Sequence, residues 1–218
     1  MSDEKSEPIK RSKTIKRRFY DMCPNYRLGG RPGFVMENAN VLAPDTGVLE
    51  SPPGQGFPNY PEPPRFLFDK KIGVAPLDME LFHYYWLVSD RMKVLFEAVD
   101  PTGFAFVACD IRVPQGHYTG PPYWLCNVVR VLDAVDETRS RLKVGIVDDP
   151  MYRDFGLKYY STLVPGGAKL VFRENVVASA HVFRMAHMDA TIICDQVLKD
   201  ACKTAGVKGI LFRDASHL

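Results

Sequence analysis

The sequence predicts an α+β fold: a mainly antiparallel or mixed sheet with a few helices packed on it. It also predicts a long irregular Pro/Gly-rich segment at the N-terminal side. Three observations carry this. Helical and strand periodicities alternate after residue 76, prolines and glycines crowd residues 19–68, and one strand–helix–strand pattern occurs twice. Layered packing of helices on one face of a sheet is the economical way to bury such elements.

The 218 residues fit a single domain with an accessory segment. At 46% hydrophobic and 25% charged, the composition is that of a globular protein that needs no disulfide or metal to hold a core. We divide the chain into a flexible basic tail at 1–18 and an α+β domain at 19–218. The domain comprises an irregular wrapping segment at 19–75 and a regular core at 76–218.

Lys5, Lys10, Arg11, Lys13, Lys16, Arg17 and Arg18 face only Asp3, Glu4 and Glu7, so the tail carries +4 and the body −2. The basic balance belongs to the tail, which argues against a nucleic-acid-binding body. A nucleic-acid accessory role through the tail is the alternative reading. No apolar leader and no apolar run of membrane-spanning length is visible, so a cytoplasmic protein away from membranes is expected. The five cysteines are widely spaced without a CxxC, as for free thiols in a reducing compartment.

In 19–68, "YRLGGRPGF" and "SPPGQGFPNYPEPPRF" exclude long helices and central strands. Aromatics such as Phe19, Phe34, Phe57 and Phe66 argue that the segment lies on the core, with room for one short strand. "FHYYWLV" reads as a strand. Ser89 follows as an N-cap, ahead of a helical stripe at Met92, Leu95, Phe96 and Val99. After the "DPTG" stop come "FAFVACDIRV" and "YWLCNVVRVLDAV" as strands. "DETRS" turns and "RLKVGIV" pairs back or continues the meander. "AKLVFRENVV" and "AHVFRM" add short strands.

Residues 86–106 laid on 192–212 without a gap share Lys93/Lys199, Gly103/Gly209 and Phe106/Phe212. Three identities in 21 positions establish no duplication. The common pattern is still strand, cap, amphipathic helix, Gly turn, strand. It places Cys194 at a strand end and Cys202 on a buried helix stripe, with Asp195 as cap. Whether the strands flanking each helix are parallel neighbours is open.

We find no phosphate loop, no nucleophile elbow and no HExxH. His181, His187, Cys194 and Cys202 are zinc-ligand types, yet their spacings match no compact knuckle. Cys23 is the candidate for thiol chemistry, with no local partner. We therefore assign no catalytic residue, cofactor or metal. "VGIVDDPMYRDFG" contains Asp148, Asp149, Tyr152 and Asp154. Its carboxylates fit an acid/base or metal pair, a polar turn, or a grip for a basic partner. With Asp136 and Glu137 these residues form the candidate partner-binding surface.

Four blocks occur in a set order: Ser89–Asp90 before a helix; Asn127, Val128, Val131, Asp133, Ala134, Asp136 and Ser140; Phe183–Arg184; and Asp195, Gly209 and Phe212. Over about residues 80–214 this resembles the eleventh numbered family of immunity proteins from bacterial polymorphic toxin systems, formerly a domain of unknown function. Cys194 departs from the serine usual before the Asp of the last block. The resemblance implies a non-enzymatic protein that binds a cognate toxin encoded nearby and occludes it in the cytosol. A nuclease toxin would present a basic site, which acidic residues complement.

Overall fold

A computed structural model of the chain describes residues 17–25, 31–50, 54–148 and 156–218. The first half of the fold runs β1 (Phe19–Pro24), β2 (Phe34–Met36), α1 (Ala39–Leu42), β3 (Arg65–Phe68), β4 (Met79–Phe82), β5 (Tyr85–Ser89), α2 (Asp90–Val99), β6 (Phe104–Ala108) and β7 (Asp110–Arg112). It continues with β8 (Tyr123–Val128), β9 (Val131–Leu132), β10 (Lys143–Ile146) and β11 (Lys158–Ser161). Last come α3 (Glu174–Val177), β12 (Val182–Met185), β13 (Met188–Asp195), α4 (Gln196–Thr204) and β14 (Ile210–Asp214).

The α+β expectation holds. Two sheets dominate, ordered β4-β5-β8-β6 and β14-β1-β13-β12-β9; β2-β3-β7 and β10-β11 are smaller. Pairing is antiparallel except at β12/β9 and β3/β7.

The strand–helix–strand pattern is realised twice, once in each large sheet. The strands flanking each helix are parallel but not adjacent, because an antiparallel strand lies between them. β8 fills that place between β5 and β6, and β1 fills it between β13 and β14.

The registers coincide. Val88 pairs Trp124 as Cys194 pairs Tyr20, and Phe106 pairs Cys126 as Phe212 pairs Met22. In the outer hairpins Met79 pairs Val88 as Val182 pairs Cys194.

Side-chain contacts repeat too. Lys93 Nζ lies 4.6 Å from the Trp124 ring centroid and Lys199 Nζ 3.4 Å from that of Tyr20. Trp124 Nε1 donates to Asp90 Oδ1 at 3.0 Å, and the Tyr20 hydroxyl donates to Gln196 Oε1 at the counterpart position.

The two units meet reciprocally. α2 packs on α4. The Asp100 carboxylate beyond α2 accepts from the His181 and Val182 N–H groups at 2.8 and 3.2 Å. Beyond α4, Lys208 N–H donates to Asp78 Oδ2 at 2.7 Å. Gly103 abuts Val182, and Gly209 abuts the Met79 backbone, where a Cβ would come within 2.3 Å of the carbonyl oxygen. Gly209 also has φ +90°, so both space and conformation call for glycine there. Such reciprocity is the pattern of an isologous contact.

The central core layer is drawn from both units. Met79 and Val182, Val88 and Cys194, Met92 and Leu198, and Phe96 and Cys202 are counterpart pairs, all buried. Outer layers cover the opposite faces, around Phe66, Leu87 and Leu125 on one sheet and Phe172, Phe183 and Ile193 on the other.

Several expectations change. The 19–75 segment is not merely a wrapping: it supplies β1, β2, β3 and α1. β1 is a central strand, tolerated because Pro24 falls at its end. "FHYYWLV" is not one strand but a hairpin, turning at His83 (φ +51°) and Tyr84. "YWLCNVVRVLDAV" breaks after Val128, where Arg130 turns in to Asp100 and the chain crosses to the other sheet as β9. "RLKVGIV" pairs with β11 rather than with the preceding strand. "AKLVFRENVV" makes isolated bridges at Lys169 and Phe172 and then the short helix α3. Ser89 stands at the N-cap of α2, but its hydroxyl donates to Asp78 Oδ1 at 2.7 Å instead of capping.

Burial alone would raise the Asp78 and Asp100 carboxyls. Hydrogen bonds from Arg91, Lys208 and Ser89, and from Arg130, His181 and Val182, outweigh it and hold both below the ordinary aspartate range. Carboxyls lowered on folding contribute stability above the unfolded value near pH 4 and lose it as pH falls further, through the folded values. The urea midpoint is expected to drop between pH 5 and pH 3. In Asp100→Asn that drop is shallower, which urea titrations at both pH values check.

Candidate functional site

Most motif residues turn out to hold the scaffold. Asp195 Oδ1 accepts from Leu198 N–H at 3.1 Å and caps α4, as expected. Its Oδ2 meets Arg17 Nη2 at 2.8 Å and His181 Nδ1 at 2.9 Å. Arg18 pairs with Asp214 at 3.1 Å, so the last two cations of the basic stretch tie into the body. Ser140 bonds both backbone groups of Val171. His187 lies 3.8 Å from Asp133 and edge-on to Tyr160.

The cysteines take packing positions. Cys126, Cys194 and Cys202 are buried, and burial pushes the Cys202 thiol up to about 12. Burial, reinforced by Asp21, also raises Cys23. These shifts run opposite to those of an activated thiol. Among the described residues no group of three His, Cys, Asp or Glu side chains is placed to hold a metal. No helix among them is long and apolar enough to cross a membrane.

The candidate acidic surface is only partly described. Asp136 caps its own turn, accepting from Thr138 Oγ1 at 2.8 Å and Arg139 N–H at 3.2 Å. Glu137 accepts from Lys158 Nζ at 2.7 Å and the Tyr160 hydroxyl at 2.6 Å. Those bonds, with the Thr138 hydroxyl first for Asp136 and the Lys158 ammonium first for Glu137, hold both carboxyls low. Their charge is engaged within the chain. Asp148 follows β10, and Asp149, Tyr152 and Asp154 lie outside the described residues. Glu137→Gln is expected to leave the thermal unfolding midpoint nearly unchanged, as for a solvent-screened surface pair.

Two of the concavities adjoin the motif residues. A cleft of about 800 Å³ runs along the start of β1, the 169–175 stretch and the C-terminal residues 214–217. Four of the cations that line it, Arg17, Arg18, Arg139 and Arg173, already meet carboxylates. The second holds about 510 Å³, at one end of the central layer. β1 contributes Met22, Cys23 and Pro24 to it. The β4–β5 hairpin contributes Leu81, His83, Tyr84 and Trp86, and the β12–β13 hairpin Arg184, Asp189, Ala190 and Ile192.

Arg184 is the unusual member, a cation only 7% exposed. Nε donates to the Val128 carbonyl at 3.4 Å, Nη2 to Asn127 Oδ1 at 3.0 Å and Nη1 to the Asp189 carbonyl. Asn127 is held in turn by its Nδ2 donating to the Gln55 carbonyl at 2.8 Å. The structure thus joins two motif residues, Asn127 and Arg184, that stand 57 positions apart. Nothing in "HVFRM" marks the arginine as buried; only its place on a strand facing a second sheet does.

A strand–helix–strand unit built twice, with concavities at its surface and carboxylates engaged within the chain, defines a class: a globular α+β protein. The family model described as "Immunity protein family (Imm11)" matches residues 18–217. The chain belongs to that immunity protein family. No curated protein matches it.

Proposed function

We propose that the protein neutralises a cognate toxin by binding and occluding it, without catalysis of its own. The observation that carries this is the extent of the family match, which takes in the folded body from residue 18 to residue 217. The role therefore attaches to the whole scaffold rather than to an appended module. Occlusion needs an interface of at least about 1,200 Å² in total, more than any single loop supplies. Asp148, Asp149, Tyr152 and Asp154 are the expected grip if the toxin presents a basic site, as a nuclease would. Cytoplasmic residence follows from the same role.

Co-expression with the product of the adjacent toxin reading frame tests it. Rescue of growth and a 1:1 complex on size exclusion are expected. A toxin whose killing is unaffected, with no complex formed, overturns the reading.

A further inference from the structure

The pocket under Arg184 has the build of a recognition site. A buried guanidinium is costly to hold unless a counter-charge meets it. Arg184 spends three of its five N–H groups on two carbonyls and an amide oxygen. None of these acceptors is a carboxylate. Burial lowers its pKa, yet an arginine stays charged. Asp189 lines the same pocket: it bonds Arg184 directly through its carbonyl, and its exposed carboxylate attracts the guanidinium only from a distance, without an ion pair.

The position has a counterpart. In the register of the two hairpins, Arg184 pairs Ile192 as Leu81 pairs Trp86. An aliphatic residue, Leu81, stands at the counterpart position, so the repeated unit does not of itself call for a cation there. The rim is apolar and open: Leu81 is 44% and Tyr84 64% exposed. Trp86 and Ile192 line the pocket beside them. A largely buried cation in a pocket whose lining is mostly apolar, with Leu81 and Tyr84 exposed beside it, suits an anchor from a protein partner. The anchor's stem lies against the apolar wall while its carboxylate reaches the guanidinium.

We propose that this pocket is a docking site for an acidic side chain, Asp or Glu, on the toxin surface, with Arg184 as the charge that receives it and Leu81 and Tyr84 as the rim that excludes water. This rests on the toxin-binding reading and deepens it. It also puts the charge complementarity here opposite to that of the acidic stretch, with the immunity protein supplying the cation.

Isothermal titration of the full chain with the purified product of the adjacent toxin reading frame tests it. Leu81→Glu places a carboxylate of the chain's own at the pocket and leaves the core intact. It is expected to weaken binding about 30-fold or more, the size of an anchor residue, with a Tm no lower than that of the wild-type chain. Tyr84→Ala and Arg184→Met should weaken it similarly. If Arg184→Met does not fold, the two exposed rim variants carry the test.

An acid-to-amide scan of the toxin should find one Asp or Glu whose replacement costs about 30-fold against the wild-type chain and adds little against Leu81→Glu. A tight wild-type complex that Leu81→Glu and Tyr84→Ala leave unchanged overturns the pocket alone. A scan in which no toxin acid couples to Leu81→Glu overturns it equally. Failure of the wild-type chain to bind at all removes the toxin reading and the pocket's occupant with it.

Discussion

Phe96→Ala is expected to lower the unfolding free energy by about 3–5 kcal/mol, the cost of emptying a buried aromatic site. Phe96 has no exposure at all. Its ring stacks on Phe104 at 4.3 Å with only 4° between planes, and Trp86 stands 6.4 Å away. Its ring neighbours stand on β5 and β6, and α2 packs on α4, so the cavity has walls on several elements and cannot close by shifting one of them. For a chain of this length that loss lowers Tm by roughly 6–20 °C.

The counterpart position provides the control. Cys202 is equally buried, on the same stripe of α4, yet Cys202→Ala removes only a sulfur and should cost about 1 kcal/mol. Urea denaturation of the two variants with unchanged m-values checks both. A Phe96→Ala loss below about 1.5 kcal/mol would mean that the shared layer relaxes and that the units are less tightly joined than the packing indicates.

Those two positions belong to the part of the fold that the sequence carries openly. The β5–α2–β6 and β13–α4–β14 units were legible because their signals are local. A stripe at i, i+3, i+4 and i+7, a polar cap and a glycine turn all lie within 21 residues.

The strand that completes the second unit was not legible. β1 has burial at Tyr20, Asp21 and Met22 in succession, so it shows no period of two. Its partners lie near the other end of the chain, at Ile193–Asp195 and Ile210–Asp214. Glycines and prolines downstream drew the whole region toward an irregular reading. The β4–β5 turn failed for the opposite reason, since "FHYY" carries no Gly, Asn or Pro to mark it.

At the surface the same rule applies. The acidic residues could be counted, but whether Glu137 has a lysine beside it depends on β11 pairing with β10. Arg184 stood in a motif, yet its burial and its Val128 and Asn127 acceptors exist only once the two sheets face each other.

Asp195→Ala is the second large effect, with an expected loss of about 3 kcal/mol. Asp195 is 2% exposed and serves three groups at once. Its cap on Leu198 N–H accounts for about 1 kcal/mol. The remainder comes from parting a largely buried carboxylate from Arg17 and His181. Breaking a fully buried pair costs about 3–5 kcal/mol, and Arg17 is 22% exposed, so the lower part of that range is the right scale.

Asp195→Asn keeps a capping oxygen and loses the charge, so its loss should be smaller, about 1–2 kcal/mol. Arg17 also donates to the Ala178 carbonyl at 2.6 Å and to that of Ala180. Arg17→Met should therefore destabilise too, and should be strongly non-additive with Asp195→Ala because both act through one cluster.

Ser89→Ala at the counterpart cap is the contrast. Its hydroxyl bonds Asp78 rather than the helix, so its loss should be about 1 kcal/mol, with exchange in the first turn of α2 unchanged. Hydrogen exchange at Leu198 N–H separates the two cases. It should rise sharply in Asp195→Ala and much less in Asp195→Asn. Equal protection in all variants would show that α4 is held by the Leu198 and Cys202 packing alone, and that the carboxylate serves only to tie the start of β1 to the second unit.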